Sequence, residues 1–185
     1  AALVSYDLMP ATRLAEIVEQ VRSAARQLID LAPKIGADAS RFTVSGHSAG
    51  AHLAALLAAE APGDSGPPDV PPIRGMLLVS GIYDLTDIPG CFLKDEAEMR
   101  VDEATSWSVL TARQLPVPLR VITRGAKETA PFQDQAVALN RLLSEDGQQT
   151  ELRSEPDLNH LNVVLNLSDP NLSMGRRLST MVAAS

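Results

Sequence analysis

Cysteine is nearly absent from this chain of 185 residues. Cys91 is the only one, so no intrachain disulfide can form, and a reducing, cytoplasmic setting is the expectation. Nothing near Cys91 supplies a base or a positive environment, which argues against it as a nucleophile. Long apolar runs are missing as well. No stretch approaches the roughly 18 residues that would cross a membrane, and the opening AALVSYDLMP lacks the charged start and apolar run of a signal peptide. Positive charge is scarce: 16 Lys and Arg stand against 23 Asp and Glu, a net charge of −7. With no basic cluster, neither nucleic acid nor an anionic membrane is the expected main partner. Histidine occurs three times. His47 and His52 are five apart, on different helix faces, with no Glu between them as in H-E-x-x-H, so a metal site is not expected. No internal repeat is visible. What remains is ordinary for a globular protein, with 45% apolar and 21% charged residues and enough chain for one domain with a core, taken as residues 1–185.

The stretch that organises the chain is RFTVSGHSAGAHLAALLAAE, Arg41 to Glu60. Arg41 to Ser45 reads as a short buried strand and the residues from Ala51 as helix formers. Between them stands Gly46-His47-Ser48-Ala49-Gly50. A strand that turns into a helix through G-x-S-x-G is the nucleophile elbow of α/β-hydrolases. The turn is sharp, and Gly46 and Gly50 are expected to remove side chains that would collide across it. It would raise Ser48 Oγ above the sheet and aim the Ala49 N–H at a developing oxyanion.

Around this element the pattern alternates. Ala1 to Tyr6 reads as a buried strand, and Thr12 to Ala32 as an amphipathic helix with Thr12 as its N-cap. The elbow helix is expected over Ser48 to Glu60, followed by the proline-rich loop Pro62 to Pro72. Ile73 to Ser80, Pro118 to Thr123 and Gln149 to Ser154 read as further strands, and Phe132 to Asp146 as a helix. Cys91 to Arg113 is charged, largely helical and interrupted near Trp107, an insertion with the character of a lid. Strands alternating with helices predict a three-layer αβα sandwich on a mostly parallel sheet.

A serine needs a base within reach and an acid to hold that base in the right tautomer. In this fold the chain order is Ser, then Asp or Glu, then His. His160 follows the last strand, where such a base belongs, and His52 reads as a packed histidine. Glu128, three residues past Gly125 at the end of the penultimate strand, is the favoured acid. Asp157 is its main rival and Asp84, read as capping a turn, a weaker one; Asp134 is expected to face solvent. His47 either lines the acyl pocket or fills space, and Tyr83 and Trp107 are candidates to stack on a substrate.

In these residues the chain resembles the kynurenine formamidase (arylformamidase) group of α/β-hydrolases, close to the hormone-sensitive-lipase-like esterases. The similar pieces are VSYDLMP, EIVEQVRSAARQL, VSGHSAGAHLAA, LLVSGIYDL, MRVDEATSWSVL, GAKETAPFQDQ and LNHLNVV, in the family's order over nearly the whole chain. The resemblance implies Ser48 as nucleophile, Glu128 as acid and His160 as base. It implies hydrolysis of N-formyl-L-kynurenine, a small aryl formamide, without a cofactor. Thr129 stands where a serine is commoner. The family's upstream HGG-type segment, whose N–H groups make half of the oxyanion hole, has no counterpart here. The expectation is therefore a domain lacking its N-terminal strands, either a fragment or a remnant of weakened activity. Its uncovered sheet edge would invite homodimerisation. A general carboxylesterase and a non-catalytic binding protein of the same fold are the alternatives.

Overall fold

The computed structural model describes residues 1–184. Its elements follow in chain order: α1 (Leu14–Leu31), β1 (Thr43–His47), α2 (Ala49–Leu56), β2 (Ala59–Glu60), β3 (Gly75–Val79), α3 (Lys94–Ala97) and α4 (Val101–Trp107). Then come β4 (Arg113–Gln114), β5 (Leu119–Gly125), α5 (Ala130–Glu145), β6 (Glu151–Glu155), α6 (Asn162–Leu167) and α7 (Ser173–Ala184). Four strands form a parallel sheet in the order β1-β3-β5-β6. Its register pairs Val44 with Met76, Met76 with Arg120 and Ile122 with Leu152.

The sheet is parallel because every connection between its strands carries a helix, and both of its faces are therefore covered. The sequence of β3, GMLLV, is accordingly apolar at nearly every position, and all five residues are buried. Successive side chains alternate between faces. Met76, Leu78 and Ile122 join a core with α1, α2 and α5, whereas Leu77, Val79 and Val121 join one with Val163 of α6 and Met174 and Met181 of α7. This is the expected helix–sheet–helix layering. No helix among the described residues is long and apolar enough to cross a membrane.

Three local expectations are corrected. Ala1 to Tyr6 forms no strand and is mostly exposed; β1 has a neighbour on one side only, and a segment without a ladder partner is not a strand. A groove of about 290 Å³ separates these residues from the free edge of β1, lined by Leu3, Tyr6, Val21, Phe42, Val44 and Leu53 among others. Thr12 does not cap α1. The first helical N–H, on Leu14, donates instead to Glu103 Oε1 at 3.0 Å, and Arg13 ion-pairs with the same carboxylate. A carboxylate at a helix N-terminus suits both the orphan donors and the dipole. The elbow helix stops at Leu56, and Ala59–Glu60 pairs antiparallel with Arg113–Gln114. Tertiary pairing here overrides the helix propensity of an alanine-rich run. The Cys91–Arg113 segment carries the two short helices α3 and α4, and Glu103, Ala104 and Trp107 of α4 are buried.

The proline-rich loop is anchored by charge. Arg22, on the buried face of α1, forms a two-pronged pair with Asp64, at 2.5 and 2.9 Å, and donates to the carbonyls of Leu56 and Ala59. Asp64 also accepts the Ala61 N–H at 2.8 Å. Both side chains are buried, so removing one strands the other. Arg22→Ala is expected to cost about 3–5 kcal/mol, read as a lower urea midpoint at unchanged slope. A loss below about 1 kcal/mol would show that water or a rearranged loop replaces the pair.

Candidate active site

Ser48 sits between β1 and α2 with φ 55° and ψ −121°, a backbone that L-residues rarely adopt. Ordinary hydrogen bonds hold it there. Its N–H donates to Val79 O at 2.9 Å, and its carbonyl accepts from Ala51 and His52 at 3.0 and 3.2 Å. A Cβ on residue 46 would lie 2.1 Å from Gly50 O, so Gly46 is obligatory. Gly50 is not: the nearest atom to a Cβ there is Tyr6 Oη at 3.9 Å, an ordinary contact. The crowding expected on both sides of the turn is therefore present on one.

His160 meets this serine from the loop after β6. Its Nε2 lies 3.1 Å from Ser48 Oγ, and its Nδ1 lies 3.3 Å from Glu128 Oε2. A carboxylate only accepts, so Nδ1 carries the proton and Nε2 presents its lone pair to the hydroxyl. The Glu128 side chain is 0% exposed. Its other oxygen, Oε1, accepts from the Gly125 N–H at 2.8 Å and from the Ser80 hydroxyl. One oxygen is thus held by the sheet ends and the other is left for the imidazole.

Backbone contacts set the approach of the two loops. Ala126 N–H donates to Glu155 O at 2.9 Å and Lys127 N–H to Leu158 O at 2.8 Å. A Cβ on residue 125 would fall 2.3 Å from Leu158 O, so Gly125 is what lets the His160 loop lie against the end of β5. The loop is also closed on itself. Asn159 Oδ1 accepts from Leu161 and Asn162 at 3.0 Å each, and Asn162 Oδ1 accepts from Asn159.

The rival carboxylates lie elsewhere. Asp157 is exposed and ion-paired with Lys127 at 2.8 Å, which holds its carboxyl below the usual range. Asp84 accepts from Thr86 N–H and Oγ1, a turn of its own, and Asp134 is exposed. The stacking candidates are corrected. Tyr83 is 0% and Trp107 7% exposed, both within the core, and burial pushes the Tyr83 hydroxyl up. A Cβ on Gly63 would lie 2.8 Å from the Trp107 ring, which marks how closely that ring is covered. Neither offers a face to a ligand. His52 is buried with Nδ1 2.8 Å from Ile82 O, the packed role expected of it. His47 turns its Nε2 to His160 O at 2.9 Å. The Ala49 N–H opens α2, where no intrahelical acceptor exists.

Two neighbours escaped the sequence reading. Phe132 stacks on the His160 ring, centroids 4.1 Å apart and planes at 29°; in the sequence it marks only the start of a helix. Ser80 is, by sequence, only the last residue of a strand. It is fully buried with φ 50°, and the only signal for it was a hydroxyl at the end of an apolar strand. No group of three or more His, Cys, Asp or Glu side chains among the described residues converges as a metal site would require.

Two measurements follow from this geometry. Ser80→Gly is expected to be more stable than Ser80→Ala by roughly 1 kcal/mol, because glycine removes the left-handed backbone cost while both lose the hydroxyl. The opposite order in urea unfolding would show that this backbone carries no cost. Burial also lowers the His52 pKa to about 4. Between that value and the ordinary 6.5 the unfolded chain binds the extra proton. Stability should therefore be lost as pH falls through this window, by up to about 3 kcal/mol from this group. Unfolding at pH 7 and pH 4.5, in the wild type and His52→Leu, checks the sign: the variant should show the shallower dependence.

Comparison with known proteins fits this geometry. The chain is 29% identical over 192 residues to a kynurenine formamidase from Salmo salar, and 27% identical over 189 residues to one from Danio rerio. Each alignment covers 98% of the chain and 62% of the relative, so the chain spans under two thirds of the length of these enzymes. Among solved structures, an inhibited form of esterase B from Lactobacillus rhamnosis superposes with a TM-score of 0.71 at 20% identity, covering 97% of this chain and 65% of that one. A family model described as the alpha/beta hydrolase fold matches residues 1–129. That match takes in the elbow, the buried strand beside it and the turn that carries Glu128, and the chain belongs to the α/β-hydrolase family.

Proposed function

We propose that the chain works as a serine hydrolase, with Ser48 as nucleophile, His160 as general base and Glu128 as the acid that orients it. The observation that carries this reading is the unbroken hydrogen-bonded line from Ser48 Oγ through both nitrogens of His160 to Glu128 Oε2. Serine on its own is a weak nucleophile, and this line supplies what it needs.

In the reaction, His160 Nε2 takes the proton of Ser48 Oγ as the oxygen attacks the carbonyl carbon. Glu128 balances the imidazolium that forms, while the Ala49 N–H meets the oxyanion. His160 then returns the proton to the leaving amine, the C–N bond breaks, and Ser48 holds the acyl group as an ester. Water, deprotonated by the same imidazole, releases the acid and restores the serine.

For substrate we propose N-formyl-L-kynurenine, split to kynurenine and formate in tryptophan breakdown. The likeness to kynurenine formamidases over 98% of the chain supports this. A formyl group needs almost no acyl pocket, so recognition would fall on the aryl amine. Because Tyr83 and Trp107 are buried, apolar surface beside His160, such as the exposed Leu161, would have to serve. That burial also favours a second reading, a carboxylesterase acting on short-chain esters, for which no aromatic platform is required.

Hydrolysis of N-formylkynurenine and of p-nitrophenyl butyrate, by the wild type and Ser48→Ala, tests both. Turnover of the formamide in clear preference, lost by at least about 10³-fold in Ser48→Ala, is the expected result. Turnover of the ester alone would make the protein an esterase. Activity on neither, with no labelling of Ser48 by a fluorophosphonate, would leave the triad as architecture.

A further inference from the structure

His47 is the one polar side chain of the elbow that the triad does not use. It ends β1 immediately before Ser48, and its ring reaches across to the loop that bears His160. The partner there is a backbone carbonyl, His160 O, 2.9 Å from Nε2. A carbonyl can only accept, so Nε2 carries the proton. The same ring lies beside the His160 imidazole, centroids 4.6 Å apart and planes at 39°, while Phe132 stacks on that imidazole at 4.1 Å. Two consecutive residues of the elbow therefore grip one residue of the base loop. Ser48 holds its ring and His47 its main chain.

We propose that His47 is a positioning residue for the base: its Nε2–H ties the His160 backbone to the elbow and so keeps the imidazole at hydrogen-bonding distance from Ser48. The role rests on the hydrolytic reading of Ser48 and His160, and goes beyond it by assigning the residue between strand and nucleophile. A loop base has no helix or strand to hold it, and an ångström of displacement can cost about a hundredfold in rate. The charges that face His47 are His160 and Glu128. Burial first, and then the positive charge His160 can carry, hold the His47 pKa below the ordinary imidazole value. His47 thus remains a neutral donor while the base works, and no second cation opposes the imidazolium.

The test compares His47→Phe, which keeps a ring and loses the donor, with His47→Gln, which keeps a donor of similar reach and loses the ring. The readout is the rate of Ser48 labelling by a fluorophosphonate, which requires the activated serine and no particular substrate. A tenfold or greater fall in His47→Phe, with His47→Gln restored to within about threefold of wild type, is expected. Nitrogen-15 spectra of the wild-type imidazoles should show His47 protonated at Nε2 and titrating below an ordinary histidine. His47→Phe reacting within twofold of wild type would overturn the proposal, and so would an Nδ1-protonated His47. If the wild type itself fails to label, the hydrolytic reading fails and the positioning role falls with it. A labelled wild type beside an indifferent His47→Phe removes the positioning role alone.

Discussion

Two backbone hydrogen bonds just beyond the strand ends carry the whole site. Ser48 N–H reaches Val79 O and Ser80 N–H reaches Thr123 O, so the parallel ladder runs one residue past β1 and β3. Both of the residues so held have positive φ. A left-handed residue costs of order 1–3 kcal/mol and persists only where neighbours over-determine it. Here the ladder does so, and in each case the turned residue delivers a hydroxyl. One points at His160 and the other at Glu128.

From that ladder the rest of the site can be followed outwards. The Glu128 side chain is fully buried, yet among the described residues no Lys or Arg pairs with it. It is held by the Gly125 N–H, the Ser80 hydroxyl and the imidazole. Neutral donors satisfy a buried carboxylate without a competing salt bridge that would pull it away from the histidine. The other buried acids are treated differently. Asp64 takes Arg22, Glu103 takes Arg13, and Glu155 takes Arg177 together with Ser173. Those three are structural anchors, for the proline-rich loop, the start of α1 and α7. The absence of an arginine is what sets Glu128 apart as an acid available to a histidine.

Glycine does comparable work at two places. Gly46 lets the elbow close on the start of α2, and Gly125 lets the His160 loop lie on the end of β5. Each is a close approach of backbone to backbone, where any side chain would force apart elements that must sit within hydrogen-bond distance. The first belongs to a motif that can be recognised from local sequence. The second lies in Arg124-Gly125-Ala126, which carries no such signature, and its purpose is visible only against Leu158, 33 residues away in the chain.

Local sequence by itself determined the elements whose information is local. The strand–turn–helix around Ser48, the alternation of apolar strands with amphipathic helices, and a histidine in the loop after the last strand all follow from spacing and side-chain type. Physical chemistry allows few other uses for them. Tertiary structure decided whatever depends on a partner distant in the chain. It set Ala59–Glu60 as a strand by pairing it with Arg113–Gln114, and it capped α1 with Glu103 in place of Thr12. It buried Tyr83 and Trp107 in the core where a surface role had been expected. It brought Ser80, Phe132 and His47 around a histidine and a glutamate that propensity could not connect to them. Propensity and periodicity report on neighbours within a turn or a strand, whereas the shape of a site is made by contacts across tens of residues, whose energies outweigh local preference.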